Sequence, residues 1–233
     1  MLVVAAHNEA QRIAATLAAL ARAFPGASIW VADDGSTDAT AELARAGRAH
    51  VVRSELAVGK GAAVTRAACA ALSDACATAH QPSPATRVPD QSIFVLCDGD
   101  LGSSAAQLRA LADAVAQGRA DVAVAAFATR VGGGVGLALG FARWAIRRRC
   151  GLRTRAPISG QRALSESALR DVLPFAHGFG MEIGITIDAV RAGHRVLELE
   201  LDLSHRATGR TLAGFLHRGH QLLDFIRVYY ARR

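Results

Sequence analysis

An α/β fold, with a mostly parallel mixed sheet flanked by helices, is the class this sequence predicts, and three observations predict it. Short apolar runs of strand type at residues 2–6, 28–32, 50–53, 93–101 and 122–127 alternate with Ala- and Leu-rich helical segments. With 51% of its 233 residues hydrophobic, the chain can bury a full core without disulfides or metals to staple it. Finally, the strand-type runs end in polar groups, which a right-handed parallel arrangement gathers along one carboxyl edge, where open sheets keep their ligands.

Taken in order, residues 2–6 form a buried strand, followed by the polar turn His7-Asn8-Glu9 and a helix reaching Arg22 with Ile13, Leu17 and Leu20 on its apolar side. The second strand ends in Asp33-Asp34-Gly35-Ser36-Thr37-Asp38, where Ser36 or Thr37 is placed to cap the next helix. After the strand at 50–53, Val58-Gly59-Lys60-Gly61 opens an Ala-rich helix to about Ala77. Pro82, Pro84 and Pro89 make residues 78–90 a surface loop. The strand at 93–101 then delivers Asp98 and Asp100, and a helix over 105–117 and a strand over 122–127 continue the alternation. Beyond Arg130 come a triple glycine, a basic amphipathic segment at 141–149, Ile158-Ser159-Gly160-Gln161-Arg162, a short helix, a helix ending near Ala192, a strand at 195–201 and a last helix over 212–230. No internal repeat divides the chain, so a single domain over 1–233 is expected.

Charge is divided unevenly. Residues 1–125 carry 10 Lys and Arg against 12 Asp and Glu, and residues 126–233 carry 17 against 8. A basic second half points to an anionic partner: nucleic acid, an acidic lipid surface or a phosphorylated small substrate. The four cysteines (Cys69, Cys76, Cys97, Cys150) have no metal or redox spacing, which suits a reduced cytoplasmic protein. The opening apolar run is too short for a signal peptide, and no stretch has the length of a membrane span, so neither export nor membrane crossing is expected.

Chemistry concentrates at the strand ends. Asp98-Gly99-Asp100 offers two carboxylates that can approach one hard cation bearing a diphosphate, with Gly99 relieving strict strand alternation. Lys60 is the only lysine among 27 basic residues, and its place between two glycines suits a compact ammonium close to phosphate. A dinucleotide fingerprint at Gly132, Gly134 and Gly136 fails on spacing, and Arg153 and Arg155 stand where its acidic follower belongs.

In order and spacing, Val4-Ala5-Ala6-His7-Asn8-Glu9, Asp33-Asp34-Gly35-Ser36-Thr37-Asp38, Gly59-Lys60-Gly61 and Asp98-Gly99-Asp100 resemble the family 2 glycosyltransferases with the GT-A fold. The resemblance implies a nucleotide-binding half over 1–130 and an acceptor half over 131–233. It implies nucleotide-sugar contacts at Ala5, His7, Glu9, Asp34, Lys60, Asp98 and Gly99, with Mg²⁺ or Mn²⁺ held by Asp98 and Asp100. His7 departs from the small or apolar residue common in the family.

The second half is similar to glucosyl-3-phosphoglycerate synthases at Ile158-Ser159-Gly160, over residues 173–184, at Asp188 and at His205-Arg206, and its Ser-Gly-Gln-Arg element to polyprenyl-phosphate sugar transferases. This implies His205 as a third metal ligand and Glu182 as the group that orients the sugar or acts as base, beside Asp100 in the catalytic set. Where the phosphoglycerate enzymes carry two arginines and an asparagine for the acceptor, this chain has Val135, Leu203 and Ala207. Several charge-assisted hydrogen bonds of about 1.5–3 kcal/mol each are thereby lost.

Residues 141–155 instead interleave six arginines with Phe141, Trp144, Ile146 and Leu152. The expectation is therefore a metal-dependent hexosyltransferase using a UDP-glucose or GDP-mannose type donor and an anionic acceptor such as a polyprenyl phosphate. It would be reached by peripheral contact with the inner face of the membrane, with no nucleic-acid partner. A small soluble metabolite acceptor is the alternative within this class, and a non-catalytic nucleotide-binding or membrane-docking module the alternative outside it.

Overall fold

The computed structural model describes residues 1–79, 92–127, 137–203 and 223–232. The strands are β1 (Leu2–Ala6), β2 (Ile29–Asp33), β3 (His50–Arg53), β4 (Ile93–Asp98), β5 (Val122–Phe127), β6 (Arg162–Ser165) and β7 (Val196–Leu201). They form one seven-stranded sheet in the order β3-β2-β1-β4-β6-β5-β7. Only β6, among the described strands, runs against its neighbours, pairing antiparallel with both β4 and β5. The expected mostly parallel, mixed sheet is therefore what the chain forms.

Helices α1 (Ile13–Ala23), α2 (Thr40–Ala46), α3 (Lys60–Ala79), α4 (Arg109–Ala116), α5 (Leu137–Cys150), α6 (Glu166–Val172) and α7 (Met181–Arg191) flank it, with a further helical stretch, α8, at 223–231. Strand alternation sends Leu2 and Val4 into one core and Val3 into another, so β1 is buried on both faces. The first core packs Ile13, Leu17 and Leu20 of α1 with Leu111 and Val115 of α4. The second packs an alanine stripe of α3 (Ala63, Ala67, Ala71, Ala75) with Leu169 of α6 and Ile185 of α7. Each fully buried Leu, Ile or Val contributes about 1.5–3 kcal/mol, which is what holds the two helical layers to the sheet.

A third, smaller core explains the apolar character of α7. Ile185 faces the sheet, while Ile183 and Ile187 face Ala142 and Ile146 of α5 and Phe225 and Val228 of α8. A helix buried on two sides needs hydrophobic residues around most of its circumference.

The structure departs from expectation in three places. The helix foreseen from Ala105 begins instead as a 3-10 turn, Gly102–Leu108, with α-geometry only from Arg109. There the Gly102 N–H is taken by the Thr16 hydroxyl (2.8 Å) and the Ser104 hydroxyl donates to the Leu101 carbonyl (2.7 Å), which tightens the first turn. Ser36 does not cap α2, because its hydroxyl accepts the Asn8 N–H at 3.0 Å and the helix begins only at Thr40. Arg162–Ser165 is a strand that the sequence did not announce. Most of the proline-rich loop, His205 and the first part of the last helix lie outside the described residues. No helix among the described residues is long and apolar enough to cross a membrane.

Candidate active site

Parallel register brings the functional strand ends together. Ala5 pairs with Ala32 on one side and Asp98 on the other, and Ala6 pairs with Asp33. The β1 end thus lies between the two acidic motifs.

The loop after β1 is held by the loop after β2. Asn8, at a left-handed φ of 56°, accepts the Thr37 N–H on its side-chain oxygen at 2.8 Å. Glu9 gives its own N–H to Thr40 Oγ1 at 2.8 Å, and Ala10 gives its N–H to Asp38 Oδ2 at 3.1 Å. These contacts leave the His7 ring exposed, with Nδ1 at 2.8 Å from the Asp34 carbonyl. Asp34 itself points toward the lysine loop. Its carboxylate accepts the N–H groups of Val58 (2.6 Å) and Gly59 (3.1 and 3.0 Å), fixing the turn that opens α3. Asp33 is fully buried and bonds the Ser36 N–H at 2.9 Å, with Arg53 at 3.4 Å. Of the paired acids, then, Asp33 is structural and Asp34 connects two loops of the cleft.

At the centre sits Lys60. Its ammonium lies 2.7 Å from Asp98 Oδ1 and 2.8 Å from Glu182 Oε1. Burial would pull this ammonium down, but the charges of Asp98 and Glu182 outweigh it and hold the group well above its ordinary value. The second Asp98 oxygen, Oδ2, accepts from Gln161 Nε2 at 2.7 Å. Both oxygens of Asp98 are therefore engaged within the protein. Behind them, the Cys97 thiol is pushed up by burial and by the Asp98 charge, so it stays neutral and is neither ligand nor nucleophile.

Three glycines make room for this arrangement. A Cβ on Gly160 would lie 2.7 Å from Lys60 Nζ and 3.1 Å from Asp98 Oδ2, so the backbone beneath the ion pair has to be bare. A Cβ on Gly61 would meet the Ala176 carbonyl oxygen at 1.8 Å, and only glycine lets α3 dock there. Gly99 plays a different part from the one expected. Its φ is not in the left-handed range; a Cβ there would press on Ile13 Cδ1 at 3.1 Å and the Ala5 carbonyl at 3.2 Å, so close packing rather than backbone conformation favours a bare residue.

Asp100 follows on a turn that α1 clamps. The buried Thr16 hydroxyl donates to the Gly99 carbonyl at 2.8 Å and accepts the Gly102 N–H at 2.8 Å, while Arg12 donates to the Asp100 carbonyl at 3.3 Å. Asp98 and Asp100 are half-exposed oxygen donors at this edge. Such a pair fits Mg²⁺ or Mn²⁺, which keep waters and take one or two carboxylates plus substrate phosphates. Among the described residues no group of three His, Cys, Asp or Glu gathers into a complete metal cage, and His205 lies outside them.

Two participants escaped the sequence reading. Gln161 carries Asp98, and Arg162 beside it is almost completely buried, donating from Nε to the Ser159 carbonyl (2.8 Å) and from Nη1 to Thr186 Oγ1 (2.9 Å). Thr186 in turn donates to the Glu182 carbonyl at 3.0 Å, which links the 159–161 turn to α7. Burial brings the Arg162 guanidinium down to about 10, with Glu182 and Glu198 opposing the shift, so it remains a cation at neutral pH. The signal for both was the Ser-Gly-Gln-Arg element; their partners are set by the fold.

The family profile for Glycosyl transferase family 2 matches residues 1–149. Among solved structures, the chain is similar to glucosyl-3-phosphoglycerate synthase from Mycobacterium tuberculosis. The likeness to that enzyme in complex with Mn²⁺, UDP-glucose and glycerol 3-phosphate has 27% identity and a TM-score of 0.72. With Mg²⁺ and UDP bound, the values are 27% and 0.73, and with Mn²⁺, UDP-glucose and phosphoglyceric acid 26% and 0.72. Each match covers 99% of this chain and 78% of the other. No curated protein matches the chain significantly.

Proposed function

This chain belongs to glycosyl transferase family 2 and is built as a glycosyltransferase; on that premise we propose that it transfers a hexose from a uridine-diphosphate sugar, with Mg²⁺ or Mn²⁺, to an acceptor bearing a phosphate. The observation that carries this reading is the Lys60 ammonium set between Asp98 and Glu182 at the carboxyl edge of the sheet. A divalent cation supplies Lewis-acid neutralisation of the departing diphosphate when bound. Asp100, with Asp98 beside it and His205 contributed from the second half, is the group to hold it. Ala5, His7, Glu9 and Asp34 lie along the rim where a nucleoside would sit, and Asp34 fixes the Val58-Gly59 loop that presents Lys60.

Asp98, locked by Lys60 and Gln161, is oriented as a fixed acceptor for a sugar hydroxyl or the cation's water shell. Glu182, held by Lys60 and nearly buried, would be the carboxylate that orients the sugar. The phosphate-bearing acceptors of the similar structures support the acceptor class. Leu203, where the phosphoglycerate enzymes have an arginine, is buried in the apolar core beside β7 and cannot contact an acceptor. Acceptor recognition here must therefore use other cations, and both a polyprenyl phosphate and a small phosphorylated metabolite satisfy the chemistry.

Thermal shift and calorimetry with UDP-glucose test the reading. Mn²⁺ should be needed for stabilisation by the donor, and Asp100→Ala should abolish that Mn²⁺-dependent stabilisation while leaving the apo melting temperature close to wild type. Equal donor binding with and without metal in the wild-type protein would overturn it.

A further inference from the structure

Helices α5 and α8 share an outward face. On α5, Ala142, Ala145 and Ile146 point inward, while Trp144 is 50% exposed and Arg147 and Arg148, three and four residues on, share its side of the helix. On α8, Phe225 and Val228 are buried and the stripe Leu223, Arg227, Tyr230 is exposed. Aromatic contacts join the two helices. The Trp144 and Tyr229 rings lie 4.9 Å apart and Tyr229 and Tyr230 5.4 Å apart, with the Arg149 guanidinium 3.7 Å over Tyr229.

The chemistry of this face is one-sided. The side chains of Arg147 and Arg148 make no hydrogen bond or ion pair with any described residue, and the segments outside the described ones contain a single acid, Asp90. Asp224, on α8, is turned toward the Gly178 backbone and pairs with Arg227. A second copy of this chain is a poor occupant, because a two-fold contact would set the arginines of one molecule against those of the other. An anionic bilayer answers both halves of the pattern: Trp and Tyr rings settle at headgroup depth, and arginines reach lipid phosphates along apolar stems.

We propose that the α5–α8 face docks peripherally on a membrane surface rich in anionic lipid. The inference does not depend on the sugar-transfer reading, since it concerns neither donor nor metal. Flotation of the full chain with phosphatidylcholine vesicles, with and without phosphatidylglycerol, tests it in the absence of sugar nucleotide. Binding should require phosphatidylglycerol and weaken with salt. Arg147→Gln combined with Arg148→Gln should lower it about 30-fold, from the contribution of two surface cations. Trp144→Ser should lower it too, at unchanged ionic attraction.

Wild-type protein that ignores phosphatidylglycerol vesicles, or an arginine double variant that binds like wild type, would overturn the proposal. So would a dimer in sedimentation velocity that Trp144→Ser dissolves, which would make this face a contact between copies. Circular dichroism of each variant separates lost docking from lost folding. If Trp144→Ser does not fold, the exposed arginine pair still decides the matter.

Discussion

At the carboxyl edge of the sheet, polar groups facing the cleft are held by other parts of the chain. Lys60 takes Asp98 and Glu182, Gln161 takes the remaining Asp98 oxygen, and Asp34 takes two N–H groups of the lysine loop. On the α5–α8 face, Arg147 and Arg148 have no partner among the described residues, and Trp144 and Tyr230 keep half their surface in solvent. Both regions are rich in charge, yet in one the groups bond to each other and in the other the two arginines bond to no described residue. Charge density alone does not distinguish a prebuilt site from a docking surface; the count of internal partners does.

That contrast predicts how the two regions respond to substitution. The largest effect should come from Lys60→Met, which leaves two carboxylates facing each other. Breaking a buried pair costs 3–5 kcal/mol, and the partial exposure of Lys60 and Asp98 reduces this to about 2 kcal/mol of stability. Sugar transfer should fall roughly 100-fold or more. Because Asp98 and Glu182 raise the folded-state value of Lys60, its stabilisation is fully present below the ordinary lysine value of 10.5 and is lost only as pH climbs through the raised value. Urea denaturation should accordingly give a wild-type to Lys60→Met difference that is flat across neutral pH.

Gln161→Leu should act less strongly, since Asp98 keeps its lysine. The loss of one hydrogen bond to a charged but partly exposed carboxylate is about 1.5 kcal/mol, and it should show in donor KM more than in the melting temperature. A fall in stability with KM unchanged would mark Gln161 as part of the packing alone. Least affected should be the fold of the Arg147→Gln, Arg148→Gln double variant, within about 0.5 kcal/mol of wild type by denaturation, because both side chains are exposed and bond to no described residue. A large loss there would mean that the two arginines hold the fold together and would erase the distinction between the regions.

Much of the sheet's carboxyl edge was legible because it is written in runs and punctuation. Apolar stretches located β1, β3, β4 and β5, and the lone lysine between glycines marked the start of α3. Strand β6 was illegible for a physical reason: it has four residues and opens on an arginine, and burial of a guanidinium becomes credible only when Ser159 and Thr186 are seen to receive it. The partnership of Gln161 with Asp98 spans 63 positions and follows from β6 lying antiparallel beside β4, a pairing that no local pattern records. Gly99 was read as relief from strict strand alternation, whereas its φ is ordinary and its neighbours Ile13 and Ala5 leave little room for a Cβ.

The hydroxyl of Thr16 bears on the entropy of the turn at Asp100. By donating to the Gly99 carbonyl and accepting from the Gly102 N–H, it fastens both ends of the turn that carries Asp100. Fixing a loose backbone costs about 1–2 kcal/mol of conformational entropy per residue. Here that ordering is completed when α1 packs against the sheet, so a cation arriving at Asp100 meets a turn that has nothing left to freeze.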